Sequence, residues 1–227
     1  RSQGSIVRVY SVEEKKSYDI TDKWYNSTAD TFSPDGKYIY FVSARHFHPT
    51  YGWTEWNHVY VDMDKIFVVT LQKNTPNPLI PVNDEVVYET EEKEEKEQSK
   101  EEKFAVKIDF DGLASRVVEL PIEHGAYNKL TATANALYYV HDTDDGKTLH
   151  VFNMKTRRDA TVAEISGYEV SAQQTKMLVA SRGKFSIIDL PQGQTSVTGN
   201  LSLANMKMRL NRTKEWLQIY HEAWRTM

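Results

Sequence analysis

The chain alternates short hydrophobic stretches with polar turns. Lys37 to Ala44 is dense in aromatic and β-branched residues and follows directly on Ser33-Pro34-Asp35-Gly36. Pro presets φ for a turn, Asp bonds its own backbone, and Gly accepts φ > 0. Hydrophobic runs on both sides of such a turn predict a hairpin, with Thr28 to Phe32 as its first strand. Comparable runs predict strands over Ser5 to Val12 and Ser17 to Thr21, around the polar tip Glu13-Glu14-Lys15-Lys16, and over Lys65 to Leu71. Phe104 to Phe110 and Ser115 to Pro121 follow the same pattern around Asp111-Gly112. Next come Tyr127 to Thr133, Ala136 to His141, Thr148 to Met154 and Asp159 to Ala163, with Asp144-Asp145-Gly146-Lys147 turning between the middle pair. The last group is Gly167 to Ser171, Lys176 to Arg182, Lys184 to Leu190 and Met206 to Leu210. Its turn Ala172-Gln173-Gln174-Thr175 stands where the earlier group has Ser-Pro-Asp-Gly.

Units of this kind recur at a spacing of about forty residues, the mark of a radial β array. The strand-Ser-Pro-Asp-Gly-strand wording is that of the inner hairpin of many β-propeller blades. The expected fold is therefore all-β, with about four antiparallel four-stranded blades of a partial propeller over residues 1–210. A change of period ends the series. Trp216, Ile219, Tyr220, Ala223, Trp224 and Met227 fall at three- and four-residue steps, one face of a C-terminal helix over 211–227. Asn211 or Thr213 can cap its start. No Gly or Asn follows, so the helix is expected to run on into a downstream domain that covers its apolar stripe.

Two segments break the rhythm. Arg45 to Asp64 is a long excursion rich in His, Trp and Tyr. Residues 84–103 collapse to Glu, Lys, Gln and Ser, a composition that cannot bury enough surface to offset its ordering entropy, and they read as a charged mobile loop. Its functional reading is repulsion of acidic peptides; the plainer one is a solvated insertion.

Composition narrows the function classes. The net charge is −4 without a basic face, which argues against nucleic acid. No apolar run is long enough to span a bilayer. Zero Cys excludes disulfides, thiolate metal sites and a Cys nucleophile, and leaves cytoplasm and periplasm both open. The chain opens on Arg1, so the natural N-terminus is expected upstream.

Ligand chemistry concentrates in the excursion. His46 and His48, with His58, Asp62 and Asp64 nearby, are the metal candidates, since imidazoles two apart on extended backbone point the same way. Packing and hydrogen bonding are the plainer reading, because the spacing matches no defined metal motif. Tyr51, Trp53, Trp56 and Tyr60 could present a wall for peptide side chains, or anchor the excursion on its own blade. Arg157-Arg158 could hold a peptide carboxylate through paired hydrogen bonds, although such pairs more often sit at solvated hairpin tips. Ser33 with Asp35, and Ser171 with Glu169, lie in blade turns and offer no base, so no catalytic residue is expected. No cofactor is implied. The sequons at Asn26, Asn200 and Asn211 matter only in a secretory host.

Taken in order, several segments resemble the tricorn-type proteases. Gly167-Tyr168-Glu169-Val170-Ser171 through Ile188-Asp189 resembles the final propeller blade of that family, and Met206-Lys207-Met208-Arg209-Leu210 its crossover strand. Lys214 to Arg225, with Trp216 and Trp224, is similar to the first helix of its catalytic half. Ile66 to Pro81, the acidic loop, Val106 to Gly112, Val118-Glu119-Leu120-Pro121 and Tyr127-Asn128-Lys129-Leu130 also resemble the family in order and spacing. The resemblance implies a large serine protease built of two propellers, a helical segment, a PDZ-like domain and a catalytic α/β domain. It implies that this stretch is the later part of the seven-bladed second propeller, which guides or filters peptides or unfolded polypeptide. The implied partners are the rest of the protease chain and, for the full-length protein, further copies in a homo-oligomer. The nucleophile and its His base lie beyond this stretch in that family. By itself the stretch is expected to be an open arc or to associate through exposed blade faces. The alternative is a TolB-like propeller that serves as an interaction scaffold without protease activity.

Overall fold

A computed structural model describes residues 4–52, 58–80, 106–207 and 209–226. The charged segment 84–103 lies outside them. Strand β1 (Arg8–Ser11) pairs antiparallel with β2 (Lys16–Asp19). Then β3 (Ser27–Phe32) and β4 (Tyr38–Ser43) form the hairpin around Ser33-Pro34-Asp35-Gly36. Within the excursion, β5 (Pro49–Tyr51) and β6 (His58–Tyr60) make a separate two-stranded hairpin. The chain returns as β7 (Lys65–Thr70), and β8 (Val117–Glu119) completes a sheet of order β3-β4-β7-β8. The third sheet takes β9 (Ala126–Ala132), β10 (Ala136–Thr143), β11 (Gly146–Asn153) and β12 (Arg158–Glu164) in sequence order. The fourth holds β13 (Gly167–Val170), β14 (Lys176–Ser181) and β15 (Lys184–Asp189). Helix α1 (Arg212–Thr226) ends the described chain.

The turns show why the residues stand where they do. Ser33 Oγ donates to Asp35 Oδ1 at 2.6 Å and accepts from the N–H groups of Lys37 and Tyr38. Gly36 takes φ 63° and closes the turn on the Ser33 carbonyl. The divergent turn keeps this plan. Ser171 Oγ accepts from the N–H groups of Thr175 and Lys176, and Gln174 occupies the left-handed position at φ 53°. Serine at the head of each turn is therefore a structural acceptor.

Successive sheets stack face to face over three cores. β4 sends Ile39 and Phe41 to the first core, with Val7, Ile20, Phe67 and Val69. It sends Tyr40 and Val42 to the second, with Ile66, Val68, Leu120, Leu137 and Tyr139. β10 sends Tyr138 and Val140 to the third, with Leu149, Val151, Tyr168, Met177 and Val179. A central strand buried on both faces needs apolar residues on both, which is why Tyr38 to Val42 and Ile66 to Val69 read as unbroken runs.

Strands β3 and β9 are the edges of their sheets and lie beside one another. Both carry a bulge at the same place. Ala29 and Lys129 sit at φ 53° and φ 49°, where the register with the neighbouring strand shifts. The Tyr168 hydroxyl donates to the carbonyl of Lys129 at 2.5 Å, so β13 caps the backbone group that the β9 bulge frees.

Three expected strands differ. Residues 106–110 form no strand. The Asp109 N–H makes one bond to the Leu71 carbonyl, and Phe110 stacks on Tyr18 with ring centroids 3.5 Å apart, holding the segment against the first hairpin. The Arg116 guanidinium replaces a ladder there, donating to the carbonyls of Thr70, Leu71, Asp109 and Asp111. Ser115 to Pro121 shortens to β8, because Leu113–Arg116 coils as a 3₁₀ turn behind Gly112 at φ 70°. The described residues among 206–210 join no sheet. A lone bridge of Asn200 to Ser186 stands where the fourth strand was expected. No helix among the described residues is long and apolar enough to cross a membrane.

Candidate functional site

The excursion leaves β4 through Arg45 and passes His46 and His48 before turning into β5. The His46 N–H bonds the Met63 carbonyl, and Asp64 exchanges two 3.1 Å backbone bonds with Gly125. These bonds lay the outgoing and returning arms beside the link between the second and third sheets, which brings His124 to the two histidines. The ring centroids of His46 and His48 lie 4.5 and 4.2 Å from that of His124 and 6.1 Å from each other. One ligand nitrogen from each lies within 4.8 Å of the others. All three side chains are half-buried.

The surroundings oppose protonation of His46. Desolvation, then His124, Lys65 and His48, hold its imidazole below the usual range. Lys65 is itself engaged, donating to the Ile122 carbonyl at 2.7 Å and pairing with Glu119 at 3.0 Å. His124 Nδ1 is buried without a hydrogen-bond partner, the only such side-chain atom among the described residues. An unmet buried polar atom costs about 1–3 kcal/mol. A cleft of about 660 Å³ opens beside the ring, lined by Asp62, Asp64, His124, His141, Asp142 and Asp145 among others. Burial pushes the Asp64 carboxyl up. A Cβ at Gly125 would stand 2.6 Å from His141 Nε2, so a larger residue there would force that ring to move.

A second polar cluster crosses the third sheet. Asp159 accepts from the Tyr139 hydroxyl at 2.6 Å and faces His150 Nδ1 at 3.1 Å, while His150 Nε2 lies 3.2 Å from Thr148 Oγ1. The order is that of a hydrolase relay, but the same Thr148 hydroxyl also turns to the His141 carbonyl at 3.4 Å. The Tyr139 hydroxyl, desolvated and bonded to Asp159, is held far above the phenol range, so this cluster anchors a buried Tyr.

Of the residues singled out in the sequence, the structure brings together His46 and His48, and His124 joins them. His58 opens β6, and its side chain lies outside the described residues, as do Trp53 and Trp56. Tyr51 is 72% exposed on the β5–β6 hairpin, where Phe47 packs against Tyr60 with ring centroids 5.8 Å apart. Arg157 and Arg158 belong to another sheet. Arg157 sits at φ 55° in the β11–β12 turn, with its guanidinium on the Ile80 carbonyl, and Arg158 opens β12. His124 was missed because a lone His before Gly carries no spacing signal, and only the pairing of Asp64 with Gly125 places it. The Asp159–His150–Thr148 cluster was missed for a similar reason, since its members meet across strands.

Four-stranded antiparallel sheets, stacked face to face with their first strands side by side, define consecutive β-propeller blades. The chain belongs to the family of the tricorn protease second β-propeller domain, whose model matches residues 1–191. Tricorn protease homolog 1 of Streptomyces coelicolor is 24% identical, over 92% of this chain and 22% of its own length. The tricorn protease homolog of Saccharolobus solfataricus is 23% identical, over 92% of this chain and 20% of its own. A crystal structure of the tricorn protease superposes with a TM-score of 0.70 at 21% identity, over 96% of this chain and 21% of that one, a likeness of fold. The chain thus spans about a fifth of the length of these relatives.

Proposed function

We propose that this chain is the non-catalytic propeller portion of a tricorn-like serine protease, and that it guides or filters peptides or unfolded polypeptide toward an active site elsewhere in the protein. Its working partners are then the PDZ-like and catalytic domains of the same protease, within a homo-oligomer. One observation carries the reading beyond family membership. The edge strands β3, β9 and β13 present the exposed charges Asp30, Lys129 and Glu169, and Lys129 Nζ bonds Glu169 Oε1 across two sheets at 2.6 Å. Exposed charges of mixed sign hold an extended chain only weakly, through solvated contacts that exchange easily as it passes. Tyr51 on its hairpin offers the adhesive counterpart at a separate place. Arg157 contributes less, with its guanidinium already on the Ile80 carbonyl.

The test compares substrates of different length in the full-length protein. Asp30→Asn, Lys129→Gln and Glu169→Gln together are expected to slow turnover of a long unfolded peptide several-fold. A short fluorogenic peptide that diffuses freely to the active site is expected to be cleaved as before. Equal effects on both peptides, or on neither, reject the guiding role.

A further inference from the structure

We propose that His46, His48 and His124 bind a divalent cation of the zinc class, and that this ion ties the aromatic hairpin of the excursion to the link between the second and third sheets. Three half-buried imidazoles converge from two chain segments, with a ligand nitrogen of each within 4.8 Å of the others. Zinc bonds imidazole nitrogen at about 2.0–2.1 Å in tetrahedral geometry, so small side-chain rotations bring the three nitrogens onto one ion. Packing alone accounts for the ring stacking, but it leaves the buried Nδ1 of His124 without a partner. A metal bound through that nitrogen supplies one.

The donor set selects the ion. Three neutral nitrogens without a carboxylate suit zinc, copper or nickel and disfavour magnesium and calcium, which require oxygen. A fourth position remains for water. The charge of Lys65, near the three rings, is offset by its pairing with Glu119 at 3.0 Å. The acidic cleft beside His124, with Asp62, Asp64, Asp142 and Asp145, gives a cation a favourable approach.

The consequence is local. Phe47 lies between two of the ligands and packs on Tyr60, so the ion fixes how Phe47, Tyr51 and Tyr60 are presented. The inference does not depend on the guiding role.

The experiment uses the whole 227-residue chain, purified without a polyhistidine tag and freed of metal by chelation. Zn²⁺ is titrated by calorimetry and Co²⁺ by visible absorption. One ion per chain is expected, with the intense ligand-field bands of four-coordinate Co²⁺. His46→Ala and His124→Ala should each weaken binding by at least about tenfold, the lower range seen for loss of even an outer-shell partner. His221→Ala, on α1, should leave it unchanged. Cleavage within 45–64 by a protease should slow when Zn²⁺ is present. Circular dichroism checks that each variant folds. A folded wild-type chain that takes up no Zn²⁺ at micromolar concentrations overturns the proposal whatever the variants do. Binding equally strong in folded His46→Ala and His124→Ala chains overturns it as well.

Discussion

Arg116 does work at the residue scale that no pattern of hydrophobic positions announces. Its planar fork donates to four backbone carbonyls and substitutes for the strand expected over 104–110. Hydrogen bonds from a charged donor contribute about 1.5–3 kcal/mol, so Arg116→Ala should lower unfolding stability by about 2–3 kcal/mol in a urea titration. Arg116→Lys should recover little, because a point charge cannot span the same acceptors. The Ser33 turn was legible because each residue acts within its own four-residue frame. Arg116 was not, since its acceptors come from the end of β7 and the far side of a long insertion. His124 is opaque for the same reason. His46 and His48 announce themselves by alternation, while the third ring arrives through the backbone pairing of Asp64 with Gly125.

Among the elements, the strands were readable wherever both faces of a sheet are buried. The runs in β4, β7 and β10 are long and apolar because they serve two cores at once. β8 and the region 206–210 were over-read, since alternation alone does not show whether a partner strand is available. The bulges in β3 and β9 left no trace in the sequence. Ala29 and Lys129 are ordinary residues held at positive φ, and the strain is sustained by surrounding contacts. The Tyr168 hydroxyl is one of these. Tyr168→Phe should cost about 1–2 kcal/mol in thermal or chemical unfolding, because the partly buried Lys129 carbonyl loses its hydroxyl donor. If Tyr168→Phe unfolds at the wild-type midpoint, the hydroxyl does not support the bulge. Helix α1 follows its period, and the Asn211 side chain accepts from the Lys214 N–H at 3.3 Å as its cap. Its Trp216, Tyr220 and Trp224 are exposed.

Among the described residues, the sheet of β13, β14 and β15 keeps one apolar face uncovered. Leu178 on β14 and Phe185 and Ile187 on β15 remain 36%, 42% and 54% exposed, although the opposite side of the same sheet fills the third core. An apolar sheet face without cover recruits another. The isolated chain should therefore self-associate as its concentration rises, and Leu178→Lys with Ile187→Lys should return it to a monomer. Light scattering over a dilution series reads both outcomes. A wild-type chain that stays monomeric at high concentration would show the face to be indifferent.

Strands β4, β7 and β10 each share their side chains between two cores, and this governs how order is lost. An interior leaf cannot melt alone, because its departure strips one wall from the leaf on either side. Disorder must enter at a terminal leaf and advance like an unfastening zip. Amide protons of β4, β7 and β10 should then exchange last, with lifetimes shortening toward both margins of the series.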